Sequence, residues 1–256
     1  FVVLCHAVDA TSAAGIIDLG DLSKGRVDML ARCMSTAIFI DHGVRRDVRL
    51  WLVLVHHGRT IEVDVSRVRN LMPDERRCAL ALRDALQAVP APFATDDANA
   101  VHKKYQALAR DAMRKRGQGA LPGVEGIHVH DGDTLDARLA AMGARVAPNV
   151  SVGARSGSGC RDLLAPLHPV VILLRTGEVS LDRVLTAPAN AGRPLVFVLG
   201  DSEGLRPDEE ERTLACEGAV ASSLQGPSLL ASQCITLALH YSELSKPPQQ
   251  QSDVAP

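Results

Sequence analysis

The run LVFVLGDSEGL, residues 195–205, passes in one step from five apolar residues to a polar turn held between two glycines. Its first half, Leu195–Leu199, has no polar alternation, so it reads as a strand covered on both faces. It stops at Gly200-Asp201, the place where a ligand crevice opens at the end of a central parallel strand. VVILL at 170–174, closed by Thr176-Gly177, has the same form. VRLWLVLV at 48–55, ending at His56-His57-Gly58, reads as another strand buried on both faces. Helical periodicity fills the intervals. Residues 26–40 place apolar side chains at 27, 30, 31, 34, 37, 38 and 39, and residues 74–86 follow Pro73, which suits a first helical position. Residues 230–244 (LASQCITLALHYSEL) are apolar enough to predict a mostly buried helix. Buried strands alternating with helices predict an α/β fold with a mostly parallel sheet.

The chain has 256 residues, 46% hydrophobic, with 28 basic against 30 acidic side chains. Near-balanced charge means that any affinity for nucleic acid must come from local patches. Four Phe, two Tyr and one Trp are too few for an RNA-binding sheet built on aromatic stacking. Cysteines at 5, 33, 78, 160, 216 and 234 form no CxxC pair and no regular spacing, the pattern of reduced thiols inside the cell. No apolar run reaches the roughly 18 residues of a membrane span, and no signal peptide is visible. The expectation is an intracellular protein, in the cytoplasm or the nucleus.

Residues 1–245 are expected to form one domain, with 88–164 as a divergent, basic insertion or lobe packed on the main sheet. Prolines at 90, 92, 122 and 148 punctuate that region, 103–116 is a very basic helical stretch, and GARSGSG at 153–159 is flexible in composition. The basic stretch reads either as an RNA grip or as a solvated helix face. Residues 246–256 (KPPQQQSDVAP) cannot pack a core and are expected to be disordered.

Taken singly, the candidate sites are weak. Gly-Asp-x-x-Gly at 200–204 lets backbone approach a ligand, yet two glycines also make an ordinary turn, and the spacing is not a dinucleotide fingerprint. QGPSLLASQCITLALH at 225–240 reads as a loop entering a core helix, with Cys234 a buried thiol. GRVD at 25–28, GVRRDV at 43–48 and PDERR at 73–77 bring arginines near carboxylates. Such a cluster either grips phosphate or forms a surface ion-pair network with Asp28, Asp47 and Glu75. His128 and His130 share a strand face, but no third ligand is near, so no metal is expected. GARSGSG lacks the Lys-Ser/Thr of a nucleotide-binding loop.

In their order, four stretches are more specific. GRVDMLARCMSTAIFIDHGVRRDVRLWLVL, MPDERRCALALRDAL, VFVLGDSEGL and SLLASQCITLALH together resemble the archaeal TrmY-type tRNA pseudouridine-N1 methyltransferases of the SPOUT class. The likeness covers residues 11–87 and 165–244. It implies a parallel α/β sheet whose C-terminal chain threads a deep trefoil knot, a feature that composition and periodicity do not predict. It implies S-adenosylmethionine as cofactor, RNA as substrate and a homodimer with the active site across its interface. Carried over by position, the cofactor residues are Leu173, Gly200, Gly204, Leu229 and Cys234.

The implied reaction is methyl transfer to N1 of pseudouridine in the T-loop of tRNA, which needs a general base for the N1 proton. Asp47, next to Arg45 and Arg46, is the first candidate and Asp28 the second. Arg26, Arg45, Arg46 and Arg76 are the candidates for holding RNA. One departure stands out: relatives carry a His-Ala-Asn/Asp-His-Cys run before the last helix, where this chain has Leu230-Ala231-Ser232-Gln233-Cys234. Two alternatives therefore stay open: the same reaction on ribosomal RNA, and a catalytically weak RNA-binding assembly factor.

Overall fold

The computed structural model describes residues 1–41, 43–89, 125–132, 135–141, 170–174, 176–187, 190, 193–226 and 228–245. In chain order the elements are β1 (Val2–Cys5), α1 (Ala10–Ala13), α2 (Val27–Ile38), β2 (Phe39–Ile40), β3 (Gly43–Val44), β4 (Arg49–Leu54), β5 (Arg59–Asp64), α3 (Glu75–Ala88) and β6 (Ile127–Asp131). They continue with α4 (Leu135–Ala141), β7 (Val170–Leu173), β8 (Val179–Ser180), α5 (Leu181–Thr186), β9 (Val196–Gly200), α6 (Pro207–Leu214), β10 (Val220–Ser223) and α7 (Ala231–Leu244). Two compact units divide the chain: Phe1–Leu4 with the residues after Asp133, and Cys5–Gly132.

The first unit holds a parallel sheet in the order β1-β9-β7-β10-β8. Its registers pair Val2 with Val198, Val171 with Phe197, Ala221 with Ile172 and Ser222 with Val179. β1 is buried throughout, β7 except at Leu173 and β9 except at Gly200, as unbroken apolar runs require. Phe1 stacks on Phe197 at 5.0 Å between ring centroids. Helix α5 packs on α7, and α4 packs on α6 with Asp136 3.6 Å from Arg212.

The second unit holds antiparallel pairs, while the parallel pairs of the first make the strands mostly parallel, as expected. β4 pairs with β5 (Trp51 with Glu62) and β5 with β6 (Ile61 with Val129). The apolar run of β4 reported burial correctly, since Leu50–Leu54 are all buried, but burial does not fix direction. Residues 127–131 form a strand of this sheet, so that part of 88–164 is not an appendage. The basic stretch 103–116, the glycine-rich 153–159 and the tail 246–256 lie outside the described residues.

Helices α2 and α3 pack on each other through stripes that include Leu30, Met34, Leu82 and Leu86. Pro73 does not occupy the first helical position. Asp74 is the N-cap, its Oδ1 accepting the Arg77 N–H at 2.8 Å, and Pro73 precedes it.

A buried arginine ties the second unit together. Arg59, 2% exposed, donates from Nε to Asp131 Oδ1, from one Nη to Ala13 O and from the other to Val89 O, each at 2.7 Å. A guanidinium has five N–H donors and no neutral form at ordinary pH, so burial demands such a set of acceptors.

Candidate functional site

Strands β9, β7 and β10 are neighbours in the parallel sheet, and their C-terminal ends open into three segments. Their described residues are 174 and 176–178, 201–206, and 224–226 with 228–230, the last standing before α7. Between them lies a cavity of about 270 Å³. Leu173, Gly200, Gly204, Leu229 and Cys234 all line it, so the five residues named from sequence are brought together from three stretches of the chain.

The turn after β9 is as tight as its glycines suggest. Asp201 N donates to Leu4 O at 3.0 Å, and Gly204 N donates to Asp201 O at 3.1 Å. A Cβ on Gly200 would lie 2.3 Å from the carbonyl carbon and oxygen of Gly204, and Gly204 itself has φ +80°. Asp201, 9% exposed, accepts the Glu203 N–H through Oδ1 at 2.9 Å and so stiffens the turn.

The opposite wall is backbone with free bonding capacity. Among the described residues, the main-chain groups of Gln225, Gly226, Ser228 and Leu229 bond to no other backbone group. Gln225 holds φ +48°, a strained value for a side chain of its size. Gln225, Gly226 and Ser228 are exposed and Leu229 is half-buried, so these groups are open to water or to a polar ligand. Cys234 adds a neutral thiol, because burial pushes its pKa up.

Helix α7 departs from the expectation that it is mostly buried. Ala231, Ser232, Ile235, Ala238 and Leu239 are buried, whereas Leu230 is 49% and Leu244 63% exposed, with Tyr241 also open to solvent. Its N-terminus is closed by Gln233, whose Oε1 accepts the Leu230 N–H at 2.8 Å.

The arginine-rich candidates belong to the second unit and are not equivalent. Gly25 and Arg26 both have left-handed φ (+63° and +60°) at the entry to α2. A Cβ on Gly25 would meet Ser12 Oγ at 2.0 Å, so only glycine fits there. Asp28 stands between two cations: Arg32 Nη2 at 2.6 Å and Arg26 Nε at 3.4 Å, with Arg32 also 4.0 Å from Glu75. Arg46 clamps a loop, one Nη donating to Val65 O, Ser66 O and Val68 O at 3.2–3.3 Å. Arg45 is half-buried and its N–H donates to Ile38 O at 2.8 Å, while Asp47 and Arg76 are exposed.

Away from this cluster, His130 Nε2 lies 2.9 Å from Glu62 Oε2 and His128 is exposed. Among the described residues no three His, Cys, Asp or Glu side chains gather as for a metal. No helix of the described residues is long and apolar enough to cross a membrane. Sequence reasoning missed Asp201, Glu210, Thr176, Gln225 and Ser228 as lining residues of the cavity. Position alone held the signal for the first two, which stand one residue and ten residues beyond the end of β9.

Known proteins bear on both the chain and the fold. A family model described as "Putative SAM-dependent RNA methyltransferase" matches residues 1–106. The tRNA (pseudouridine(54)-N(1))-methyltransferase of Halobacterium salinarum is 36% identical over 141 residues, which is 54% of this chain and 67% of that protein. The enzyme of the same name from Haloarcula marismortui is 28% identical over 241 residues, 94% of each chain. Among solved structures, Archaeoglobus fulgidus Nep1 bound to S-adenosylhomocysteine matches with a TM-score of 0.50 at 11% identity, over 96% of this chain and 97% of that one. At that identity the match speaks to the fold alone.

Proposed function

The chain belongs to the tRNA (pseudouridine(54)-N(1))-methyltransferase family, and we propose that it transfers a methyl group from S-adenosylmethionine to N1 of a pseudouridine in tRNA. The observation that carries this reading is the cavity at the ends of β7, β9 and β10. All five residues assigned to the cofactor from sequence line it.

The cavity fits that cofactor chemically. Leu173, Leu199 and Leu229 offer apolar walls for an adenosine, and the backbone groups of Gln225, Gly226, Ser228 and Leu229 offer hydrogen bonds to its polar edges. The tight Gly200–Gly204 turn leaves no side chain at either glycine to fill the space. The cofactor, when bound, supplies a methyl carbon made electrophilic by its sulfonium.

The protein's own part is then positioning and proton removal. In such a transfer N1 of pseudouridine would lose its proton to a carboxylate of this chain. Asp47 is the proposed base. Asp28 is the second candidate, set back because Arg26 and Arg32 already hold its carboxylate. Arg26, Arg45 and Arg76 are proposed to hold the RNA, whereas Arg46, a fourth candidate from sequence, is proposed to hold its loop through three carbonyls instead; reaching the base requires taking it out of its stack.

Three finer features go with this reading. The C-terminal chain is proposed to thread a trefoil knot; β7 sits between β9 and β10, two strands that follow it in sequence. A second copy of the chain is proposed to cover the apolar side chains that α7 leaves open, Leu230, Tyr241 and Leu244. The enzyme is proposed to work inside the cell, in the cytoplasm or the nucleus, where its RNA substrate would be.

The test uses tritiated S-adenosylmethionine and two tRNA transcripts, one with pseudouridine in the T-loop and one with uridine there. Label is expected only in the pseudouridine RNA. Cofactor binding without label in either transcript redirects the reaction to ribosomal RNA. Absence of cofactor binding overturns the methyltransferase reading in favour of an RNA-binding assembly factor.

A further inference from the structure

Helix α6 opens with four acidic residues, Asp208 to Glu211, and they have different surroundings. Asp208 pairs with Arg212 at 2.5 Å. Glu209 is 3% exposed, and its Oε2 accepts the Arg206 N–H at 2.8 Å, closing the start of the helix. Glu211 is exposed and does not line the cavity. Glu210 differs from all three: it is half-buried, lines the cavity, and its side chain makes no hydrogen bond or ion pair with another described residue.

The rest of the lining sharpens the contrast. Among the described lining residues the charged ones are Asp201 and Glu210, and none is Lys, Arg or His. Asp201 is tied into its turn through the Glu203 N–H. A half-buried carboxylate with no cation beside it among the described residues is well matched to a ligand that brings one. A phosphate-bearing ligand is disfavoured by the same charge.

We infer that Glu210 recognises the positive charge of the cofactor and is a specificity-determining residue of this site. The inference rests on the cofactor reading above. S-adenosylmethionine carries two cations, its sulfonium and its α-ammonium. S-adenosylhomocysteine keeps only the ammonium, and 5′-methylthioadenosine keeps neither. Glu210 therefore favours the first over the last by charge, while Leu173, Leu199 and Leu229 treat their shared adenosine alike.

Calorimetry with these three ligands on the wild-type protein, Glu210→Gln and Glu211→Gln tests this. Glu210→Gln is expected to weaken S-adenosylmethionine about tenfold or more, as loss of a charge-assisted bond does, and to leave 5′-methylthioadenosine unchanged. Glu211→Gln should change none of the three. S-adenosylhomocysteine weakened alongside S-adenosylmethionine assigns Glu210 to the ammonium; unchanged, it assigns it to the sulfonium. Because the measure is a ratio between ligands within one variant, partial unfolding cannot imitate it. Wild-type affinity for S-adenosylmethionine in Glu210→Gln, or an equal loss for all three ligands, overturns the role of Glu210 alone. A wild-type protein that binds none of them overturns the cofactor reading itself.

Discussion

The cavity of the first unit and the charged cluster of the second are built from opposite materials. Around the cavity, strand ends, glycines and open amides set the shape, and few lining side chains carry charge. Around Asp28, nearly every relevant group is an arginine or a carboxylate. A site made of backbone leaves a positional imprint in sequence, because only glycine tolerates a 2.3 Å approach such as that between Gly200 and Gly204. A site made of charged side chains leaves no such imprint. One arginine can grip a phosphate, pair with a neighbour or clamp a loop, and all three look alike in sequence.

The largest expected effect would break the comparison, by giving one exposed carboxylate more weight than the whole cavity wall. Asp47→Asn should reduce methyl transfer by about a hundredfold or more while calorimetry finds S-adenosylmethionine bound as in the wild type. Full transfer in that variant moves the proton to Asp28 or elsewhere. Gly200→Ala is expected to act on the cavity from its backbone side. A Cβ 2.3 Å from main-chain atoms should cost about 2 kcal/mol of stability, as overpacking does, and remove the thermal stabilisation by S-adenosylhomocysteine. A variant that melts like the wild type and still gains from ligand would show that the turn has room.

A pair of arginines sharpens the comparison from the charged side. Arg46→Ala should lose about 1–2 kcal/mol of stability, because three loop carbonyls lose their donor, with little change in the salt dependence of RNA binding. Arg76→Ala should melt within about 0.5 kcal/mol of the wild type yet lower the salt slope by about one. Reversed results would exchange the clamp and the RNA contact between these two residues.

What was legible in the sequence follows the same division. The strands at 170–173 and 196–200 and the helices at 27–38, 75–88 and 231–244 all carried long periodic or unbroken apolar patterns. β1 went unread although it is wholly buried, because four residues at the start of the chain offer no flanking pattern. β10 hid behind its composition: Ser222 and Ser223 are buried, and serine does not announce a core strand. The five residues assigned to a cofactor by resemblance line one cavity. Glu210 was invisible beside them, since acidic residues in the first turn of a helix are ordinary. The exposed side of α7 was misjudged because apolar composition alone does not tell which side chains of a helix its own chain covers.

Arg59 carries a consequence for how this chain can lengthen. The same guanidinium holds Val89 O and Asp131 Oδ1, so the chain departs and returns within the span of one side chain. With both ends pinned, extra unstructured residues between them bear only the slowly rising entropy of closing a larger ring, about 0.6 kcal/mol for each doubling. The antiparallel sheet on either side need not register the change. The two described ends of that connection, Val89 and Asp131, are therefore held together by one side chain whatever length of chain joins them.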